Sequence, residues 1–141
     1  MTRRLAAVLA SLFLALAPAG ASFAQGGFGA DSADPGTSLY DYKRCYALDV
    51  WRLNQAQNRT PPAEEPEQRA IQQEAQNLAA GAVAASHGRS ADSVAAELRS
   101  FTTTQMALYQ RESADGAVSR HAQQDEATCR RNGLIDDHGH H

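Results

Sequence analysis

The last six residues, Asp136-Asp137-His138-Gly139-His140-His141, place two carboxylates and three imidazoles in one short run. Ligands of these types close together can gather Zn2+, Cu2+ or Ni2+. His87 adds a further imidazole if the fold brings its turn to the end of the molecule where the tail departs. The plainer reading is a solvated polar end, since composition alone fixes no coordination geometry. His121 and Asp125 stand four residues apart, the spacing of neighbours on one helix face. Such a pair can pass a proton, although an ordinary surface pair has the same spacing. Ser119 is two residues from His121 and faces another way on a helix, so it is not an activated nucleophile.

Four aromatics crowd one stretch, Leu39 to Asn58: Tyr40, Tyr42, Tyr46 and the only tryptophan, Trp51. At helical spacing such residues usually build a core, with phenol hydroxyls reaching water or a carbonyl. Tyr40 and Trp51 fall off the main stripe, on adjoining flanks, and are the candidates for a partner surface. The same stretch carries Cys45, and the other cysteine, Cys129, lies near the far end of the chain. Neither belongs to a CxxC or CxxCH pattern, which argues against redox catalysis and covalent haem attachment. No glycine-rich phosphate loop and no paired helical metal motif occurs. Asn58-Arg59-Thr60 fits a glycosylation sequon, but Pro61 makes it a poor acceptor.

The elements that must position these residues begin after a leader. Arg3 and Arg4 precede the thirteen-residue apolar run Leu5 to Ala17, which Pro18 and Gly20 break before small residues follow. This is the layout of a secretory signal peptide, and the run is too short to span a bilayer. Cleavage fits best after Ala24, with Ala21 the second choice. Thr2-Arg3-Arg4 only partly matches a twin-arginine leader, because Ala6 and Ala7 stand where bulkier residues belong. General export is the expectation, and the protein is placed in the periplasm or outside the cell.

Loss of Arg3 and Arg4 takes the formal net charge from −3 to −5. The remaining basic residues form no stripe, so nucleic acid is not expected as a partner. The 117 residues from Gln25 onward amount to one domain without a transmembrane segment. In an oxidising compartment Cys45 and Cys129 have only each other, and a disulfide is expected.

Residues 25–37 read as a flexible tail rich in Gly, Ser and Asp. A helix capped by Thr37 or Ser38 then carries Leu39, Tyr42, Tyr46, Val50 and Leu53 on one face and ends near Asn58. Three prolines make a turn of Arg59–Pro66, and a second helix follows to about His87. Its inward stripe is Ile71, Ala75, Leu78, Ala82 and Ala85, with Gly88 just past its end. Ser90 caps a third helix with Val94, Leu98, Phe101, Gln105 and Leu108 inward. Thr102-Thr103-Thr104 makes strand the rival there, and the flanking periodicity favours helix.

Asp115-Gly116 decides the topology together with the cysteines. If the third helix ran on to Arg131, Cys45 and Cys129 would lie tens of ångströms apart at 1.5 Å per residue. A disulfide needs Cα atoms within about 7 Å. A turn at Asp115-Gly116 brings them together, with Val118, His121 or Ala122, Asp125 and Cys129 along one side of a fourth helix. The expected fold is all-α, an up-down-up-down four-helix bundle over residues 38–132 with one disulfide joining its first and last helices. It is preceded by the signal peptide, 1–24, and followed by a His/Asp tail, 133–141.

The function expected of this chain is that of a small exported helical scaffold. It acts by contact with another exported or envelope protein, without catalysis and without a cofactor. The alternative is transition-metal binding or buffering through the C-terminal tail.

Overall fold

The computed structural model describes residues 37–136. The leader, the segment up to residue 36 and Asp137–His141 lie outside the described residues. Within them the chain forms four α-helices and no strand: α1 (Leu39–Asn58), α2 (Glu65–Ala85), α3 (Ala91–Glu112) and α4 (Arg120–Arg131).

Local chemistry sets the helix ends. Ser38 Oγ accepts the Asp41 amide at 3.2 Å while Asp41 Oδ2 accepts the Ser38 amide at 3.3 Å, a reciprocal cap. Pro66 sits in the first turn of α2 beside Glu65 and Glu67, where a missing N–H costs nothing and negative charge meets the helix dipole. Ser90 and Ser119 cap α3 and α4 by accepting amides three residues on. The turn expected at Asp115-Gly116 is present: both residues take left-handed backbone, φ 61° and 80°. α2 ends differently from the expectation. His87, φ 54°, takes the first left-handed position, and Gly88 comes second.

Contacts between helices give their directions. Arg59–Glu67, Arg52–Glu74 and the close approach of Tyr42 to Gly81 run in opposite order along α1 and α2. Lys43–Glu97 and Trp51–Tyr109 run in the same order along α1 and α3. Tyr109–Asp125 and Glu112–Ser119 reverse again between α3 and α4. The last helix therefore lies antiparallel to the first, and Cys45 and Cys129 meet as a disulfide with Cα atoms 5.8 Å apart. Both cysteines are fully buried.

α1 is the centre of the bundle. Cys45 through Trp51 are seven consecutive buried residues, so this helix is enclosed all the way round and not along a single stripe. Gly81 of α2 permits the closest approach: a Cβ there would stand 2.3 Å from Tyr42 Cε1. α3 turns a different face inward from the one its sequence suggests. Val94, Leu98, Thr102, Met106 and Tyr109 are buried, and Phe101, Gln105 and Leu108 are only partly so. The repeat at steps of four keeps Thr102 inward, where its Oγ1 has no hydrogen-bond partner.

The chain continues to pack beyond Asn132. Gly133, φ 71°, allows Gly133 N–H to reach Arg130 O and Leu134 N–H to reach Cys129 O, both at 2.9 Å. Ile135, 5% exposed, then joins the core. The folded unit thus reaches Asp136 and not Asn132.

Candidate functional site

Four polar or aromatic groupings carry whatever chemistry this surface has, and each is built by a different pair of elements. The first joins the start of α1 to the middle of α3. Tyr40 is 52% exposed and meets the Phe101 ring edge-on, centroids 5.8 Å apart. Lys43 Nζ lies 5.1 Å from the centre of the Phe101 ring, and the Arg44 guanidinium lies 5.2 Å from that of Tyr40. Lys43 also pairs with Glu97 at 2.7 Å, and Arg89 pairs with the other Glu97 oxygen. Hydrogen bonds from Lys43 and then Arg89 hold the Glu97 carboxyl below its usual range. The partner-surface pair named from the sequence is thereby divided. Tyr40 is on the surface, whereas Trp51, 9% exposed, packs against Tyr109 at 5.6 Å inside the core. The sequence missed Phe101, Lys43 and Arg44 as neighbours of Tyr40 because they meet it only through helix packing or the sideways reach of a long side chain.

The second grouping is buried between α1, α3 and α4. Tyr109 O–H donates to Asp125 Oδ2, and Arg44 Nη1 stands 3.9 Å from Asp125 Oδ1. Burial, and then the hydrogen bond to Asp125, pushes the Tyr109 phenol far above its ordinary pKa. Asp125 is thus occupied, and the pairing with His121 expected from their spacing is not made.

His121 instead belongs to the third grouping, at the α3–α4 turn. Glu112 Oε1 accepts from Ser119 Oγ at 2.7 Å and from the His121 amide at 2.9 Å; Glu112 Oε2 meets His121 Nδ1 at 2.5 Å. Ser119, the carboxylate and the ring are close, but in the wrong order for nucleophilic catalysis. A triad places the imidazole between hydroxyl and carboxylate so that it can take the hydroxyl proton. Here the carboxylate is in the middle, and Ser119 Oγ also accepts the Ala122 amide as a helix cap. The Ser119 hydroxyl, then the His121 amide and ring, draw the Glu112 carboxyl down to about 2. The grouping is a clasp across the turn.

The fourth grouping connects α1, α2 and the C-terminal segment. Arg52 Nη1 donates to Asp49 Oδ1 at 2.9 Å and to Glu74 Oε1 at 3.2 Å, while Arg52 Nη2 donates to the Asp136 carbonyl at 3.0 Å. Glu74 Oε2 accepts the Asp136 amide at 2.8 Å. Asp49 is fully buried, and burial followed by the charge of Glu74 pushes its carboxyl well above the carboxylate range. A buried acid in mid-helix gave no signal in the sequence, where Asp49 reads as one more polar residue.

The candidate metal residues are separated as far as they are described. His87 is exposed in the turn after α2, at the pole where α4 ends. Gly133 then sends the chain back along α2, and Asp136 is pinned at Glu74, thirteen residues before His87 and so roughly 20 Å along the helix axis. Among the described residues no group of three or more His, Cys, Asp or Glu side chains gathers for a metal ion. Asp137, His138, His140 and His141 lie outside the described residues. Also among the described residues, no helix is long and apolar enough to cross a membrane. Comparison with protein-family models, curated proteins and solved structures gives no match. The structure and site alone define the class: a four-helix, disulfide-closed α-domain.

Proposed function

We propose that this protein is an exported helical scaffold that acts by contact with another exported or envelope protein and not by catalysis. The observation that carries the reading is the Tyr40–Phe101 pair with Lys43 and Arg44 stacked on its rings. Aromatic and arginine side chains dominate binding energy at protein interfaces, since they offer large area for few rotatable bonds. Here neighbouring ion pairs to Glu97 and Asp41 hold the two cations in place before any partner arrives, which lowers the entropy cost of association. Support for export comes from the disulfide, a bond that persists in non-reducing compartments. Support for a non-catalytic role comes from the polar clusters, whose donors and acceptors are spent on joining helices. Tyr109–Asp125 ties α3 to α4, and Glu112–Ser119–His121 closes the turn between them.

Site-specific photocrosslinking in the native compartment tests the contact. A crosslinker at position 40 should give a discrete adduct that one at exposed Gln123 of α4 does not. Combining Phe101→Ala with Lys43→Ala should lower that adduct about tenfold while helicity is unchanged. Equal labelling from both positions, or no adduct from position 40, overturns the reading.

A further inference from the structure

The segment after α4 is tied down by a clamp whose charges do not balance. Asp136 is held through both of its main-chain groups, the N–H by Glu74 at 2.8 Å and the C=O by Arg52 at 3.0 Å. The same guanidinium also serves Asp49 Oδ1. Asp49 Oδ2, fully buried, has no hydrogen-bond partner when the carboxyl is ionised. Two carboxylates beside one cation, out of water, retain a proton. Oδ2 is the position from which that proton is donated to Glu74. The held segment also walls a groove of about 400 Å3, with Gly133, Leu134 and Asp136 on one side, Gln73 and Asn77 on the other, and Tyr42 between them.

We propose that residues 133–136 are a pH-sensitive strap, closed over this groove while Asp49 and Glu74 share a proton and released when that proton is lost. The charged groups around Asp49 are Arg52 from its own helix, Glu74 from α2 and the Asp136 carboxylate at the end of the strap. Asp137 and the tail histidines follow in sequence. An acid whose folded-state pKa is raised stabilises the closed form at low pH and loses that contribution as pH rises through the raised value. With both carboxylates ionised, Asp49 keeps Arg52 because it is buried, and Glu74, on the groove side, is repelled toward solvent. Asp136 N–H then loses its acceptor, and Ile135 loses the anchor that keeps it in the core. This device does not depend on the Tyr40 surface.

The chain has only two isoleucines, Ile71 in the core and Ile135 in the strap. Methyl NMR of the full mature chain, labelled at isoleucine, therefore reads the strap against an internal reference. From pH 4 to pH 9 the Ile135 methyl should move toward its position in a free peptide while Ile71 stays fixed. In Asp49→Asn, a neutral copy of the protonated acid, Ile135 should keep its low-pH position throughout. Glu74→Gln removes the other negative charge and still offers an acceptor to Asp136, so it should behave alike and serves if Asp49→Asn fails to fold. Three outcomes overturn the proposal: a stationary Ile135 in the wild type, both methyls moving together, or a wild-type shift that persists in the variants. The last would assign the movement to the tail histidines, which both variants retain.

Discussion

α1 and α4 are joined by a covalent bond but are held in the molecule by different forces. α1 buries eleven of its twenty residues, among them Tyr46, Leu48 and Val50, and touches every other helix. α4 buries three of twelve: Ala122, Asp125 and Cys129. An alanine removes little apolar surface from water, an aspartate removes none, and the cysteine is spent in the crosslink. What keeps α4 in place is the disulfide, the Tyr109–Asp125 hydrogen bond and the Glu112 clasp. The first helix is fixed by packing and the last by specific bonds. A small domain with an alanine-rich core has little apolar area to spare for a fourth helix, and a crosslink replaces it.

The largest effect that separates the two regimes comes from removing the crosslink. Cys45→Ala with Cys129→Ala frees a loop spanning 84 residues and should cost about 4–5 kcal/mol in denaturant unfolding, on the chain-entropy model. A loss under about 1 kcal/mol would mean that packing alone suffices for α4. Gly81→Ala probes the packed side, since its new methyl must displace the buried Tyr42 ring. The expected loss is about 1–3 kcal/mol in thermal or denaturant melts. An unchanged midpoint would show that α1 and α2 can separate without penalty.

The clasp at the α3–α4 turn makes a pH prediction. Glu112 is ordinarily half-protonated near 4.5 and is drawn down to about 2 in the folded state, chiefly by the Ser119 hydroxyl. A depressed acid contributes stability above its unfolded pKa and loses it as pH falls through the folded one. Between pH 4.5 and 2 the wild type should lose stability relative to Glu112→Gln, and above pH 5 the gap between them should be constant. Parallel acid-denaturation curves would remove the clasp from the account. The smallest effect belongs to His87, whose left-handed backbone glycine adopts without a Cβ penalty. His87→Gly should raise stability by about 0.5–1 kcal/mol in denaturant melts, and no gain would indicate that the His87 side chain offsets its own strain.

Much of the frame could be read from residue types. Ser38, Ser90 and the proline turn gave helix ends, and Asp115-Gly116 with the two cysteines gave the reversal before α4. What escaped reading depends on contacts across the chain. A helix enclosed on every side shows the same apolar stripe as one enclosed on a single side, so Ala47, Leu48 and Asp49 looked like the outer face of α1. Steps of four and steps of three differ by about 40° per repeat on a helix, enough to put Thr102 inside in place of Phe101. His121 paired with Glu112 from the preceding helix, and helical spacing along α4 says nothing of that. Leu134-Ile135 directly after Gly133 was the one available hint that the chain returns to the core. Of the candidate site, Tyr40 was visible as a surface aromatic, while its cationic neighbours emerged only once α1 and α3 were side by side.

Hydrogen exchange, resolved by residue, on the oxidised protein and on the Cys45→Ala, Cys129→Ala form tests most directly whether α4 is a bonded appendage on an α1-centred core. Without the crosslink, the amides of α4 should exchange at least a hundredfold faster, while those of Tyr46 to Leu53 stay the slowest in the molecule. Uniform acceleration of α1 and α4 alike would contradict the account, because the four helices would then stand or fall as one packed unit.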